Sequence, residues 1–272
     1  MSQITKVISE AKAVKRKLLI PYIVAGDPNI ASSLLLMHQL VEDGADIIEL
    51  GVPFSDPSSD GPVIQKGVER ALKQGVSLLD VIALVKQFRE TNITTPVVLM
   101  GYLNPVEIMG YESFVKRASD AGVDGVLLVD MPPAESAALH SLLRFADIDT
   151  IYLVAPTTTD ERARSIVKVT SGYLYYVSLK GVTGAALVDY ASVAENIGNL
   201  RGMTDLPIMV GFGIKDGDSA VAMAEFADGV IIGSALVSEI AKLTEQEGNS
   251  EFPISQTTAM ISDVRNALDQ IS

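Results

Sequence analysis

The chain has 272 residues, 48% of them hydrophobic, a net charge of -13 and no cysteine. That is enough for one large domain or two small ones with a sizeable core. The acidic balance, with no stripe of Lys and Arg, argues against binding by phosphate neutralisation to nucleic acid or an anionic membrane, and the lack of cysteine excludes a disulfide framework, a thiol nucleophile and a cysteine-held metal.

In chain order, residues 2–14 read as a helix. Lys15-Arg16-Lys17 ahead of an apolar run has the outline of a signal peptide, but Pro21 interrupts the run and Gly26-Asp27-Pro28 follows, so the run reads as a buried first strand. No apolar stretch approaches the roughly 20 residues that span a bilayer, so a soluble cytoplasmic protein is expected. Strand-like runs lie at 18–24, 46–51, 96–101, 125–130, 150–155, 173–178, 207–212 and 229–233. They are rich in Val, Ile, Leu and Tyr with little polar alternation, as parallel strands buried on both faces are. Helical patterns separate them at 31–43, 62–73 with 78–91, 111–121, 133–145, 160–169, 189–200, 217–226 and 235–244. Ser77, Asp160 and Asp216 stand at N-cap positions. A polar linker at 245–251 precedes a closing helix at 255–271. Residues 43–48, 121–126 and 226–231 resemble one another: each is a helix end, a turn and a new strand. Eight strands in βα alternation predict an α/β fold, a single (β/α)₈ TIM barrel over residues 1–272 with an extra N-terminal helix and a closing C-terminal helix. An open doubly wound sheet usually has fewer strands, and no Gly-x-Gly-x-x-Gly follows the first one.

Active sites of such barrels lie at the C-terminal strand ends, where the costly polar residues of this chain gather. Glu49 lies among Ile47, Ile48 and Leu50, where an ionised form is poorly solvated; Asp60 lies in a loop of Ser58, Ser59 and Gly61, where its charge is tolerated. Two carboxylates in such contrasting surroundings can act as acid and base in one site. Glu49 could instead pair with a distant buried cation, and Asp60 could be a helix N-cap ahead of Gly61-Pro62. Asp56, between Ser55 and Pro57, reads as a turn-former, and Asp130 ahead of Met131-Pro132-Pro133 also reads as structural. Tyr102 and Asn104 follow the third strand and Tyr175 lies within the sixth. Gly213 and Gly233-Ser234, after the seventh and eighth strands, stand where these barrels often bind a phosphate on backbone N–H groups, with Thr183-Gly184 able to complete the ring. His38 and His140 fall on helices, and no His/Asp/Glu cluster has metal-ligand spacing, so no metal is expected.

Pro21-Tyr-Ile-Val-Ala-Gly-Asp-Pro28, the block from Glu49 to Gln65, Gly181-Val-Thr-Gly184, Gly211-Phe-Gly-Ile214 and Gly233-Ser-Ala235 together resemble the tryptophan synthase α subunit family over nearly the whole chain. The resemblance implies retro-aldol cleavage of indole-3-glycerol phosphate to indole and glyceraldehyde 3-phosphate, late in tryptophan biosynthesis. By the same resemblance Glu49 shuttles protons, Asp60 accepts the indole N–H, and Tyr175 lies close enough to Glu49 to hydrogen-bond. Tyr22, Leu99, Leu127, Leu153 and Phe212 form the indole pocket, beside Tyr102, while Thr183, Gly184, Gly213, Gly233 and Ser234 take the phosphate. No cofactor is implied for this chain; pyridoxal phosphate belongs to a partner β subunit in an α₂β₂ complex, met through Pro53, Phe54, Asp56, Asn104 and Pro132. In this chain Leu179-Lys180 follows Ser178 where the family commonly has Ser-Arg, which bears on loop closure and allosteric coupling more than on cleavage. A stand-alone lyase, active without a β subunit, and a catalytically silent phosphate-binding activator are the alternative readings; intact Glu49 and Asp60 argue against the second.

Overall fold

The computed structural model describes residues 1–177, 189–211, 213–244 and 254–271. In chain order the elements are α1 (Gln3–Ala13), β1 (Leu18–Val24), α2 (Ile30–Glu42), β2 (Ile48–Gly51), α3 (Pro62–Lys73), α4 (Leu78–Arg89), β3 (Val97–Gly101), α5 (Leu103–Met109), α6 (Tyr111–Ala121), β4 (Gly125–Leu128), α7 (Ala137–Phe145), β5 (Asp149–Thr150), β6 (Tyr152–Val154), α8 (Asp160–Val167), β7 (Leu174–Val177), α9 (Tyr190–Arg201), β8 (Ile208–Gly211), α10 (Gly217–Ala224), β9 (Gly229–Ile232), α11 (Ser234–Thr244) and α12 (Ile254–Asp269).

The strands form one parallel sheet in the order β5-β4-β3-β2-β1-β9-β8-β7-β6. Its two ends, β5 and β6, are consecutive in the chain, so the sheet curls into a nearly closed barrel. They are the halves of the expected fifth strand: β5 pairs with β4 and β6 with β7. At the hand-over Ile151 donates its N–H to Val126 at 2.9 Å, and its side chain joins the barrel interior.

Strand side chains alternate in direction, which divides the core in two. Leu18, Ile20, Ile47, Val98, Leu127, Ile151, Tyr173, Met209 and Ile231 fill the barrel interior, and Ile4, Ile8 and Ala11 of α1 join them. Those three helix residues recur every three to four positions and so lie on one face, which closes the N-terminal end of the barrel. Ser2 caps α1 and donates to Asp149 Oδ2 at 2.5 Å, tying the helix to β5. The larger cluster, including Leu19, Ile48, Leu99, Val126 and Val210, lies between the strands and the helices. Among the described residues no helix is long and apolar enough to cross a membrane.

The three similar turns share one arrangement. Asp46, Asp124 and Asp228 donate their N–H groups to the carbonyls of Leu19, Val97 and Ile208 and accept those same residues' N–H groups on Oδ2 at 2.8 Å. Each carboxylate also meets arginine: Asp46 meets Arg16 and Arg265, Asp124 meets Arg89 at 2.5 Å, and Asp228 meets Arg201 at 3.0 Å. Gly44, at φ +95°, makes the first turn possible, since a Cβ there would meet Arg265 Cγ at 2.5 Å.

Two local expectations change. The cap of α8 is Thr159, whose side chain accepts from Arg162, with Asp160 one position inside the helix. Residues Leu103–Met109 form a helix where no helix was expected; Pro105 lies in its first turn, where the missing N–H breaks no helical bond.

Candidate active site

Glu49, the second residue of β2, is fully buried, level with Tyr22 of β1 and Val98 of β3. Its Oε1 accepts a 2.7 Å hydrogen bond from the Tyr173 hydroxyl, and its Oε2 has no hydrogen-bond partner among the described residues. None of the ion pairs among the described residues involves Glu49, so the reading as half of a buried salt bridge finds no support. Burial raises its pKa from the ordinary 4.5 to about 7, and the Tyr173 bond opposes that rise only in part. Sequence reasoning expected Tyr175 as the neighbour of this carboxylate. Tyr173, two residues earlier and immediately ahead of β7, packs into the same inner cluster and makes the bond instead. Both tyrosines face inward, and their spacing of two was the signal.

Asp60 is half-buried in the loop between β2 and α3, and its Oδ2 accepts from the Tyr102 hydroxyl at 3.1 Å. Ser59 donates its N–H to the same hydroxyl at 2.9 Å, and Gln65 Nε2 donates to the Asp60 carbonyl at 2.8 Å. Gly61, not Asp60, is the N-cap of α3, with Pro62 following. Burial raises the Asp60 pKa, while the bond from Tyr102 lowers it. Tyr102 is pushed up to about 12, first by burial, so it is a neutral donor. In front of this loop Asp27, fully buried, takes a two-pronged ion pair from Arg70 of α3, both bonds at 2.7 Å. That pair fastens α3, and the loop ahead of it, to the end of β1.

Two glycines admit two more phenols. A Cβ on Gly51 would stand 2.2 Å from the Tyr22 hydroxyl, and one on Gly211 would stand 2.3 Å from the Tyr175 hydroxyl. Both hydroxyls are therefore held over the C-terminal ends of neighbouring strands, where only glycine leaves room. Leu127 faces the barrel interior, with Leu153 half-buried against it. Leu99 does not: it belongs to the outer cluster under the helices. Alternation along β3 sends Val98 and Met100 inward and Leu99 outward, so Met100 takes the place expected for Leu99.

Gly213, at φ +77°, is exposed after β8, and Gly233 precedes α11 with its carbonyl accepting the Val237 N–H at 3.0 Å. Ser234, exposed, opens that helix. At the neighbouring α10 the Asp216 side chain fills the N-terminus with a capping box. At α11 the corresponding residue is Gly233, which has no side chain to do so, and a free helix N-terminus is a ready anion site. Thr183, Gly184, Leu179 and Phe212 lie outside the described residues.

The expected partner rim is only partly exposed. Asp56 and Asn104 are exposed and Pro132 is half-buried. Pro53 and Met131 are buried, and Phe54 is half-buried with its ring 5.2 Å from that of Tyr102. Met131 packs into the outer core with Leu139 and Leu143 of α7. Ile108 of α5, 81% exposed, is a large apolar group at this end that sequence reasoning missed because α5 was not expected. Among the described residues no cluster of His, Asp and Glu could hold a metal ion.

A buried acid, a second carboxylate held by a phenol, and a helix N-terminus without a side-chain cap thus share one barrel mouth. The family model of the tryptophan synthase alpha chain matches residues 8–267. The chain is 54% identical to the tryptophan synthase alpha chain of Thioalkalivibrio sulfidiphilus, over 99% of this chain and 100% of that one. It is 52% identical to that of Marinobacter nauticus, over 100% of both. The fold matches the crystal structure of tryptophan synthase subunit alpha from Legionella pneumophila with a TM-score of 0.91, 43% identity and 99% coverage of each chain. It also matches Mycobacterium tuberculosis tryptophan synthase with a TM-score of 0.87 and 34% identity over 98% of each chain. With agreement over essentially its whole length, the chain belongs to the tryptophan synthase alpha chain family.

Proposed function

We propose that this chain is a lyase of tryptophan biosynthesis that cleaves the bond between indole C3 and the glycerol phosphate chain of indole-3-glycerol phosphate. The observation that carries the reading is the pairing of Glu49, buried with a pKa of about 7, with Asp60, which accepts from Tyr102. Protonated Glu49 gives its proton to C3, leaving positive charge on the indole ring. The resulting carboxylate takes the proton of the side-chain hydroxyl beside the scissile bond. That C–C bond then breaks, its electrons return to the ring, and the carbinol carbon becomes the aldehyde of glyceraldehyde 3-phosphate. Glu49 ends as it began, and a carboxyl titrating near the working pH suits both transfers. Asp60 accepts the indole N–H and stabilises the ring's positive charge.

Tyr22, Leu127, Leu153 and Tyr175, with Met100 in place of Leu99, form the walls around the indole, and Phe212 is assigned to the same task by family resemblance. Gly213, Gly233, Ser234 and the N-terminus of α11 take the phosphate, with Thr183 and Gly184 assigned to the same task by family resemblance. The protein works in the cytoplasm as one domain without a cofactor of its own. It hands indole to a pyridoxal-phosphate β subunit in an α₂β₂ complex, docked through the loop of Pro53, Phe54 and Asp56, through Asn104 and Ile108 of α5, and through Pro132. Indole release from indole-3-glycerol phosphate, measured with and without a β subunit, tests the reading. Wild type is expected to release indole, faster with the partner; undiminished release by Glu49→Gln would overturn the mechanism.

A further inference from the structure

Glu49 and Asp60 are held by phenols, but a third carboxylate at the same mouth is held by a cation. Asp27, just beyond β1, is fully buried. It takes the Arg70 guanidinium in a fork, Nε on Oδ1 and Nη2 on Oδ2, each at 2.7 Å. The pair sits where three elements meet. Helix α3 comes close to it through Gly67: a Cβ there would stand 3.0 Å from Asp27 Oδ2, 3.0 Å from Val237 Cγ1 of α11 and 3.2 Å from Val24 Cγ2 of β1. Around it Ile64, Val68 and Ala71 of α3 pack with Tyr22, Val24 and Val237. The start of α3 in turn carries the Asp60 loop. Gln65 donates its N–H to the Gly61 carbonyl at 3.0 Å and its side-chain amide to the Asp60 carbonyl at 2.8 Å.

Apolar packing is non-directional. The contacts of Ile64, Val68 and Ala71 therefore hold α3 against the barrel without fixing where along its axis it stops. A two-pronged Arg–carboxylate bond does fix it, because both bonds are met in one geometry only. Stability is not what such a pair chiefly gives: a buried ion pair gains little over well-packed apolar side chains, and setting register is its best-attested use. A helix rises about 1.5 Å per residue, so a slip of one residue would carry Asp60 well outside the roughly 0.5 Å within which an active-site group must be held. We propose that Asp27 and Arg70 are positioning residues: their ion pair sets the register of α3 and so places the Asp60 carboxylate opposite the indole N–H. Its consequences for binding and turnover rest on the lyase reading, from which the role of Asp60 is taken. Tyr102 then steadies the Asp60 side chain from the β3 side, and Arg70 steadies the helix behind it from the β1 side.

The chain has no tryptophan, so the fluorescence of added indole can be titrated with the full-length protein free of tryptophan background. N-Methylindole, which has no N–H to donate, is the control. Arg70→Lys keeps the charge but replaces the fork by a point donor. It is expected to weaken indole binding about fivefold, short of the roughly tenfold for outright loss of a hydrogen bond to a charged group, and to leave N-methylindole binding unchanged. Asp27→Asn disturbs the same pair from the other side and should repeat this selective loss. In turnover, Arg70→Lys should lower kcat/KM for indole release by the same factor. Combined with Asp60→Asn it should be no worse than Asp60→Asn alone, since both changes act on one interaction. Equal weakening of indole and N-methylindole would mark the pair as a general structural tie and overturn the proposal. So would fully additive losses in the double variant, or indole binding equal to wild type. A wild type that binds indole no better than N-methylindole defeats the role given to Asp60, and this proposal with it. A wild type that prefers indole, beside an Arg70→Lys with the same preference, defeats only the positioning role of the pair.

Discussion

The barrel has carboxylates at both ends, and they are treated in opposite ways. At the N-terminal end Asp46, Asp124 and Asp228 each accept a backbone N–H from a neighbouring strand and each meet an arginine. At the C-terminal end Glu49 and Asp60 meet phenols. Burial pushes Asp46 and Asp124 upward as it does Glu49, but cations and N–H groups oppose it there, whereas one tyrosine opposes it at Glu49. A carboxylate surrounded by fixed positive charge is a structural tie that stays ionised. One surrounded by neutral donors can exchange its proton near neutrality, at a cost in stability.

Breaking this contrast at each end should therefore give different results. The largest effect is expected at the top: Glu49→Gln should lower indole release about 10²–10⁴-fold, the range assigned to general acid–base catalysis, while thermal unfolding shows the fold intact. The same variant should change the pH dependence of stability. The folded state holds the Glu49 proton more tightly, so wild type loses stability as pH rises from 4.5 through about 7. By linkage this amounts to about 3 kcal/mol. Glu49→Gln should match wild type near pH 4 and exceed it above pH 8; parallel stability curves would count against the assigned pKa.

Next comes the bottom end. Asp124→Ala strands Arg89, whose side chain is 14% exposed, and leaves the Val97 N–H unmet. Chemical denaturation should show a loss of about 3 kcal/mol, with kcat nearly unchanged in the protein that remains folded. Asp60→Asn turns an acceptor partly into a donor and should lower kcat/KM about tenfold without a comparable loss of stability, checked by steady-state kinetics. The smallest effect belongs to the exposed copy of the bottom motif. Asp228 and Arg201 are 37% and 45% exposed, so Arg201→Ala should cost about 1 kcal/mol or less. If Arg201→Ala cost as much as Asp124→Ala, burial would not be what grades these ties.

How legible each end was in the sequence follows the same division. Strands were visible because each is a short continuous apolar run, and the repeated turns at 43–48, 121–126 and 226–231 were visible as similar strings. What those aspartates do was not, because their cations come from far along the chain: Arg265 lies 219 residues from Asp46. At the mouth, Glu49 and Asp60 stood out because one is flanked by Ile and Leu and the other by Ser and Gly. Which tyrosine serves Glu49 depends on how far each phenol reaches across the barrel, and which face Leu99 takes depends on strand parity. Neither is written in composition. The short α5 was hidden by Pro105, which reads as a breaker unless the helix is known to begin just before it. The break in the fifth strand at Ile151 was hidden too, because closing a barrel is a property of the whole ring.

The central claim is that Glu49 is a buried carboxyl that exchanges its proton near neutral pH. Titrating the carboxyl bands in the infrared, as the difference between wild type and Glu49→Gln, tests it directly. A protonated-carboxyl band that disappears with a midpoint of about 7 is the predicted result. A midpoint at the ordinary 4.5 would mean that burial does not hold the proton on Glu49, and would contradict the account.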